Sequence, residues 1–191
     1  MRVLVACEFS GRVREAFRKT GHEAYSCDLL PAEDNSSFHI QDNVLDHLTG
    51  WDLLVAFPPC THLACSGARW FKNKQREQQE AIQFVLSLAN APVERIAIEN
   101  PVGVLSTKWR KPDQIIQPWQ FGEPYQKTTC VWLKSLPCLR PTNIVERGDF
   151  ITYPSGRKMP KWYAELRGKG HERSRTFQGI ADAMASQWGK L

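Results

Sequence analysis

Hydrophobic positions along this chain fall alternately into short solid runs and into helical spacing, the signature of strands and helices taken in turn. Val3-Leu4-Val5-Ala6 is a continuous apolar run and predicts a buried strand over 2–7. Glu8-Phe9-Ser10-Gly11 turns the chain. Ser10 is placed to cap a helix over 12–20 that carries Val13, Ala16 and Phe17 on one face, and Gly21 ends it. A second strand is predicted over 23–27, with Asp28 at its C-terminal end. A polar stretch over 31–37, a short strand near 38–40 and a loop around Asp42 follow. The run 52–57 is a third apolar strand, stopped by Pro58-Pro59. Ile82, Val85, Leu86 and Ala89 predict a helix over 75–90, and 95–98 is a further buried strand ended by Glu99-Asn100-Pro101.

From 104 to 170 the pattern weakens and prolines recur at 112, 118, 124, 137, 141, 154 and 160. Only 129–133 reads as a strand there, the rest as loops and short ribbons, before a closing helix over 177–188. Strands alternating with helices imply βαβ units. The expected fold is therefore α/β and Rossmann-like, a mostly parallel sheet with helices on both faces, in a single domain over 1–191. Ligands of such sheets bind beyond the carboxyl ends of the strands. That edge gathers Glu8 to Gly11, Asp28, Pro58-Pro59-Cys60 and Glu99-Asn100.

Composition narrows the function classes. Of 191 residues 42% are hydrophobic and 24% charged, which fits a packed globular domain and excludes a disordered chain. No apolar run approaches the ~20 residues that span a bilayer, and the apolar start is too short for a secretory signal. The expectation is a cytoplasmic protein without a membrane partner, its six cysteines free thiols. A net charge of +5 suits an anionic partner such as nucleic acid or a nucleotide, and seven tryptophans leave one or two to stack on a base.

The chemistry gathers at the strand ends. Gly11 lets the backbone come close to a ligand. Asp28 can accept the hydroxyls of a ribose. The two prolines hold Cys60 rigidly at the end of a buried strand, where nearby positive charge turns a thiol into a nucleophile. Glu99 faces the same cleft and can protonate a ring nitrogen once burial raises its pKa. A competing reading takes Cys60, His62 and Cys65, with Cys130 or Cys138, as metal ligands, but their spacing matches no zinc pattern.

The order of these residues resembles the C5 cytosine methyltransferase family: Phe9 and Gly11, Asp28, Asp42, Pro58-Pro59-Cys60, then Glu99-Asn100. The resemblance implies an S-adenosylmethionine-dependent fold that methylates cytosine C5 in DNA, duplex or single-stranded. Alternatives are RNA, a free cytosine nucleotide, or a degenerate fold that only binds nucleic acid. It assigns Cys60 as nucleophile at C6 and Glu99 as the acid at N3, supported by Lys127. Phe9, Ser10, Gly11, Asp28, Asp42, Pro58 and Gly179 would hold the cofactor. Pro59, Asn100, Thr129, Arg173 and Arg175 would meet the substrate. No metal is implied. Amino-methyltransferases also carry Pro-Pro at this strand end but follow it with an aromatic, where Cys60 stands here. Thr61 and Pro101 depart from the family's usual Gln and Val, and 122–129 replaces its two arginines with Lys127 and Thr129. In place of a full target-recognition domain there is a short basic and aromatic insert, about 141–170, before a closing helix placed within 171–191.

Overall fold

The protein is described here by a computed structural model covering residues 1–191, Trp70 excepted. In chain order the elements are β1 (Arg2–Ala6), α1 (Arg12–Lys19), β2 (Glu23–Asp28), β3 (His39–Gln41), β4 (Leu53–Ala56), α2 (Gln75–Ala89), β5 (Arg95–Pro101) and α3 (Leu105–Lys108). Then come β6 (Gln114–Ile116), β7 (Thr129–Lys134), β8 (Phe150–Thr152), β9 (Lys158–Pro160), α4 (Lys161–Glu165), α5 (Gly170–Ser174) and α6 (Gln178–Trp188). Seven strands form one sheet in the order β3-β2-β1-β4-β5-β7-β6. The first five are parallel, and β7 enters antiparallel to both β5 and β6.

The solid apolar runs follow from helices on both faces. Val3, Val5, Leu53 and Val55 pack on one side against Val13 and Phe17 of α1 and Ile180, Met184 and Trp188 of α6. Leu4, Ala6, Leu54 and Ala56 point to the other side, against Ile82, Val85 and Leu88 of α2. Successive strand residues face opposite layers, so a strand covered twice has no polar positions to alternate with. The α/β, mostly parallel expectation holds. No helix among the described residues is long and apolar enough to cross a membrane.

Two expectations are corrected and a third is filled in. Ser10 is not the main cap of α1: its hydroxyl meets the Arg12 N–H only at 3.5 Å, whereas the Glu8 carboxylate accepts the Val13 and Arg14 N–H groups at 2.7 and 3.2 Å. The β5 strand does not stop at Ile98. It runs on through Glu99 and Asn100 to Pro101, because β7 pairs with it residue by residue, Glu99 opposite Val131 and Asn100 opposite Cys130. In 104–170 the expected strand and a short ribbon, β8–β9, are present, and β6 at the edge of the main sheet and short helices are added to them.

Candidate active site

The β4 and β5 strands are parallel neighbours in register, Ala56 beside Ile98. Past Ala56 the β4 chain leaves the sheet as Phe57-Pro58-Pro59-Cys60, while its neighbour β5 runs on through Glu99 and Asn100. Asn100 Nδ2 donates to the Pro58 carbonyl at 2.8 Å in a buried bond that ties the two segments together. The Cys60 carbonyl accepts the N–H groups of Leu63 and Ala64 at 3.0 and 2.9 Å, which turns the loop sharply and fixes the Cys60 backbone. Lys127 lies just before β7, whose first residue, Thr129, stands opposite Pro101.

These groups share one electrostatic environment. Desolvation pushes the Glu99 carboxyl pKa up, against the pull of the Lys127 ammonium and a hydrogen bond from the Thr129 hydroxyl. The Cys60 thiol is also pushed up, first by the protein packed beside it and then by the Glu99 charge, while Lys127 and Arg173 oppose the rise. Cys60 nevertheless reaches the surface. A protonated carboxyl at 99 suits a proton donor. The thiol is not activated in this arrangement, and lowering its pKa needs Lys127 or Arg173 to act on it more strongly than they do.

The expected cleft is closed. The space beside Glu99 measures about 10 Å³ and is walled by Phe57, Glu99, Lys127, Thr129, Ser174, Thr176, Phe177 and Ile180, with Cys60 outside it. That is room for about one water and not for a pyrimidine. Residues 171–177 fill the place: Lys127 Nζ donates to the Arg173 carbonyl at 3.1 Å, and Arg12 Nη1 to the Thr176 carbonyl at 2.9 Å.

The cofactor edge is also differently used. Phe9 is buried at the turn after β1 and stacks on the His171 ring, centroids 4.1 Å apart. Asp28, at the end of β2, accepts the Leu30 N–H at 2.9 Å. Asp42 joins this edge through its N–H to the Asp28 carbonyl, but its carboxylate is exposed and held by His47 at 2.9 Å, which keeps its pKa low. Gly11 adopts a left-handed φ of 71°, and the space over its Cα is filled by Arg14 and Asp34 rather than left open for a ligand. Arg14 is fully buried, paired with Asp34, and donates to Ser26 Oγ at 2.8 Å. Gly179 serves close packing: a side chain there would collide with the Phe121 carbonyl. The N–H groups of Gln178 and Gly179 are capped by Glu123, each at 3.2 Å.

The two arginines assigned to substrate divide. Arg175 is committed to Glu33 in a forked pair, with Nε at 3.0 and 3.1 Å and Nη2 at 2.5 Å from its oxygens, and His171 adds a contact to Glu33 at 3.1 Å. Arg173 lies over the Tyr163 ring at 4.6 Å, and its Nε is buried without a hydrogen-bond partner. Pro59 is exposed beside Cys60. Sequence reasoning placed Glu8 at this edge without a role and missed Arg14, Glu33, Glu123 and the wall residues Ser174 and Thr176. An acid shortly before a helix was the one local sign available, for Glu8. Among the described residues no three His, Cys, Asp or Glu side chains converge as metal ligands. The fold and site define a doubly wound α/β protein with a cysteine and a carboxyl at adjacent strand ends. No protein-family model matches the chain, and no curated protein matches it.

Proposed function

We propose that this chain is an S-adenosylmethionine-dependent methyltransferase acting on C5 of cytosine in nucleic acid, with Cys60 as nucleophile and Glu99 as proton donor. The observation that carries the reading is the buried Asn100–Pro58 bond, which fastens the cysteine loop to the glutamate strand and brings both into the reach of Lys127. The strand order 3-2-1-4-5 of the parallel part agrees with a doubly wound nucleotide-binding sheet.

The cofactor's donor set fits in part. Phe9 offers a ring that takes another flat ring at stacking distance, and Asp28 offers an acceptor at the next strand end. Gly11 and the Asp42 carboxylate are held by fixed partners, so Phe9 and Asp28 are the residues that would hold the nucleoside, once His171 leaves the Phe9 ring and alongside the Leu30 N–H that Asp28 already accepts. When bound, S-adenosylmethionine supplies an electrophilic methyl group.

The chain's own residues do the rest. Cys60 loses its proton to solvent and its sulfur bonds to C6. Glu99 gives its proton to N3, which removes the negative charge that addition places on the ring. After methyl transfer the C5 proton leaves to water, the sulfur–C6 bond breaks, and Glu99 takes the N3 proton back. Residues 174–177 must withdraw to admit the ring, since about 10 Å³ does not hold one.

A strand carrying 5-fluorocytosine tests this, because the fluorine blocks the last step and leaves the protein attached. The expected outcome is a donor-dependent adduct with the full chain and none with Cys60→Ser, whose turnover should fall by at least about a thousandfold. Near-normal turnover of Cys60→Ser would end the covalent reading.

A further inference from the structure

A second, larger cavity lies on the far side of Phe177, which walls both spaces. It measures about 290 Å³, near the lower end of ligand pockets and enough for a single flat ring system. Tyr125, Trp162 and Phe177 form one aromatic wall, their ring centroids 5.5 to 5.8 Å apart. Tyr125 remains 37% exposed although it sits in this cluster. An aromatic cluster of this kind would ordinarily close on itself or on the core. Here it faces an open space edged by arginine.

Charge sharpens the picture. Arg12 is bonded to the Thr176 carbonyl and Arg175 to Glu33. Arg173 is the arginine of the wall whose buried Nε has no partner. Its charge also acts at Cys60. Nε itself is sealed from the cavity, so what Arg173 offers a ligand is the rest of its guanidinium, which lies over Tyr163 and makes no ion pair among the described residues. A cation beside a flat aromatic wall suits a phosphate attached to a base.

We propose that this cavity holds the nucleotide next to the target cytosine in a single strand. The neighbouring base lies against Trp162 and Tyr125, and the phosphate joining the two nucleotides meets Arg173. The proposal rests on the cytosine reading for its location of the target, but its site is built from other residues. It also narrows the substrate class. A base in a duplex has both faces stacked and its edge paired, so two adjacent nucleotides would have to leave the stack together. A single strand offers them at little cost. Glu165 and Glu172 on the wall give acceptors for an amino group of the neighbouring base.

The test is equilibrium binding, without methyl donor, of the full chain to labelled single strands carrying one cytosine. One strand is intact, one is abasic 5′ of the cytosine and one abasic 3′ of it. Wild type should lose about tenfold in affinity for one of the abasic strands, the contribution expected of a single base on an aromatic side chain. Trp162→Ala should weaken the intact strand by a similar factor and bind the intact and that abasic strand alike, and Trp162→Phe should restore most of the difference. Equal wild-type binding to all three strands would overturn the proposal, as would an equal loss by Trp162→Ala on intact and abasic strands. Binding of a duplex as tight as the single strand would overturn the strand preference. The abasic comparison on wild type stands even if Trp162→Ala does not fold. A parallel 5-fluorocytosine trap separates the two readings. An adduct without a neighbour effect removes only this cavity's role, and a neighbour effect without an adduct removes only the cytosine chemistry.

Discussion

Two glutamates at the same edge of the sheet, Glu8 after β1 and Glu99 at the end of β5, are perturbed in the same direction by the same cause. Burial raises Glu8 to about 7 and raises Glu99 as well. Their partners separate them. Both Glu8 oxygens accept backbone N–H groups of α1, and Ser10 adds a hydroxyl at 3.3 Å, so the side chain is spent on holding the first turn of a helix. Glu99 has one hydroxyl, a nearby ammonium and an adjoining space. A raised carboxyl pKa therefore does not mark a reacting group by itself. The distinction is whether its oxygens are already satisfied by the chain.

The widest contrast comes from exchanging each carboxyl for an amide. Glu99→Gln cannot give a proton to a ring nitrogen, and methyl transfer should fall by about a hundredfold or more. The wild-type rate needs Cys60 as thiolate and Glu99 protonated, so with the thiol pushed up it should climb with pH below the raised pKa of Glu99 and level off above it, where loss of the Glu99 proton offsets the gain in thiolate, whereas the residual rate of Glu99→Gln should keep climbing. Single-turnover kinetics across pH measure both effects, and a rate for Glu99→Gln within a few-fold of wild type would erase the contrast.

Glu8→Gln should act on stability instead. A carboxyl easier to bury protonated leaves stability full below its ordinary value of 4.5 and lowers it as pH climbs toward and through about 7. The loss across that window is on the order of 3 kcal/mol. Glu8→Gln should remove most of this slope in denaturant midpoints taken at intervals from pH 4 to pH 8, on the order of the window just given. Glu99 contributes in the same sense, so a small slope should remain until both positions are amides.

What the sequence disclosed follows the same division. Solid apolar runs covered by helices on both faces were legible as strands, and the ends of neighbouring strands put Cys60 within the electrostatic reach of Glu99, though not in one open space. Contacts that need distant partners were not. Gly11 reads as an opening for a ligand until Arg14 and Asp34 fill it, and Asp34 lies 20 residues from Arg14. The strands β6, β8 and β9 have three residues each, too few for a period to appear. Glu33 and Arg175 are 142 positions apart, and nothing local in either announces the other. The space beside Glu99 is walled by Ser174, Thr176 and Phe177 from the far end of the chain, so its closure too was invisible.

The Asn100 tie gives an intermediate effect between chemistry and stability. Asn100→Ala leaves the buried Pro58 carbonyl without its donor, a cost of about 1–3 kcal/mol. Adduct formation should slow by more than the lost stability alone explains, because the Cys60 loop is no longer fastened to the Glu99 strand. Equal adduct rates for Asn100→Ala and wild type, at a temperature where both are folded, would show that the loop is positioned by other contacts.

The smallest expected effect concerns the segment that closes both regions. Glu33→Gln removes the carboxylate that Arg175 and His171 share. The pair is partly exposed, 30% on each side, so global stability should move by less than about 1 kcal/mol. Local opening is another matter, because 171–177 covers Phe9 at one end and the space beside Glu99 at the other. Amide exchange within 170–177 should quicken several-fold in Glu33→Gln, and high salt should quicken it in wild type. The Arg175 hydrogen bonds hold the Glu33 pKa low, so this pairing is present above the ordinary carboxylate range and is lost as pH falls through the lowered value. Acid should therefore loosen the segment in wild type but not further in Glu33→Gln. If the segment is what keeps cytosine out, 5-fluorocytosine adducts should form faster in Glu33→Gln than in wild type. Faster exchange with an unchanged adduct rate would mean that the ring enters by a path the Glu33 pair does not guard.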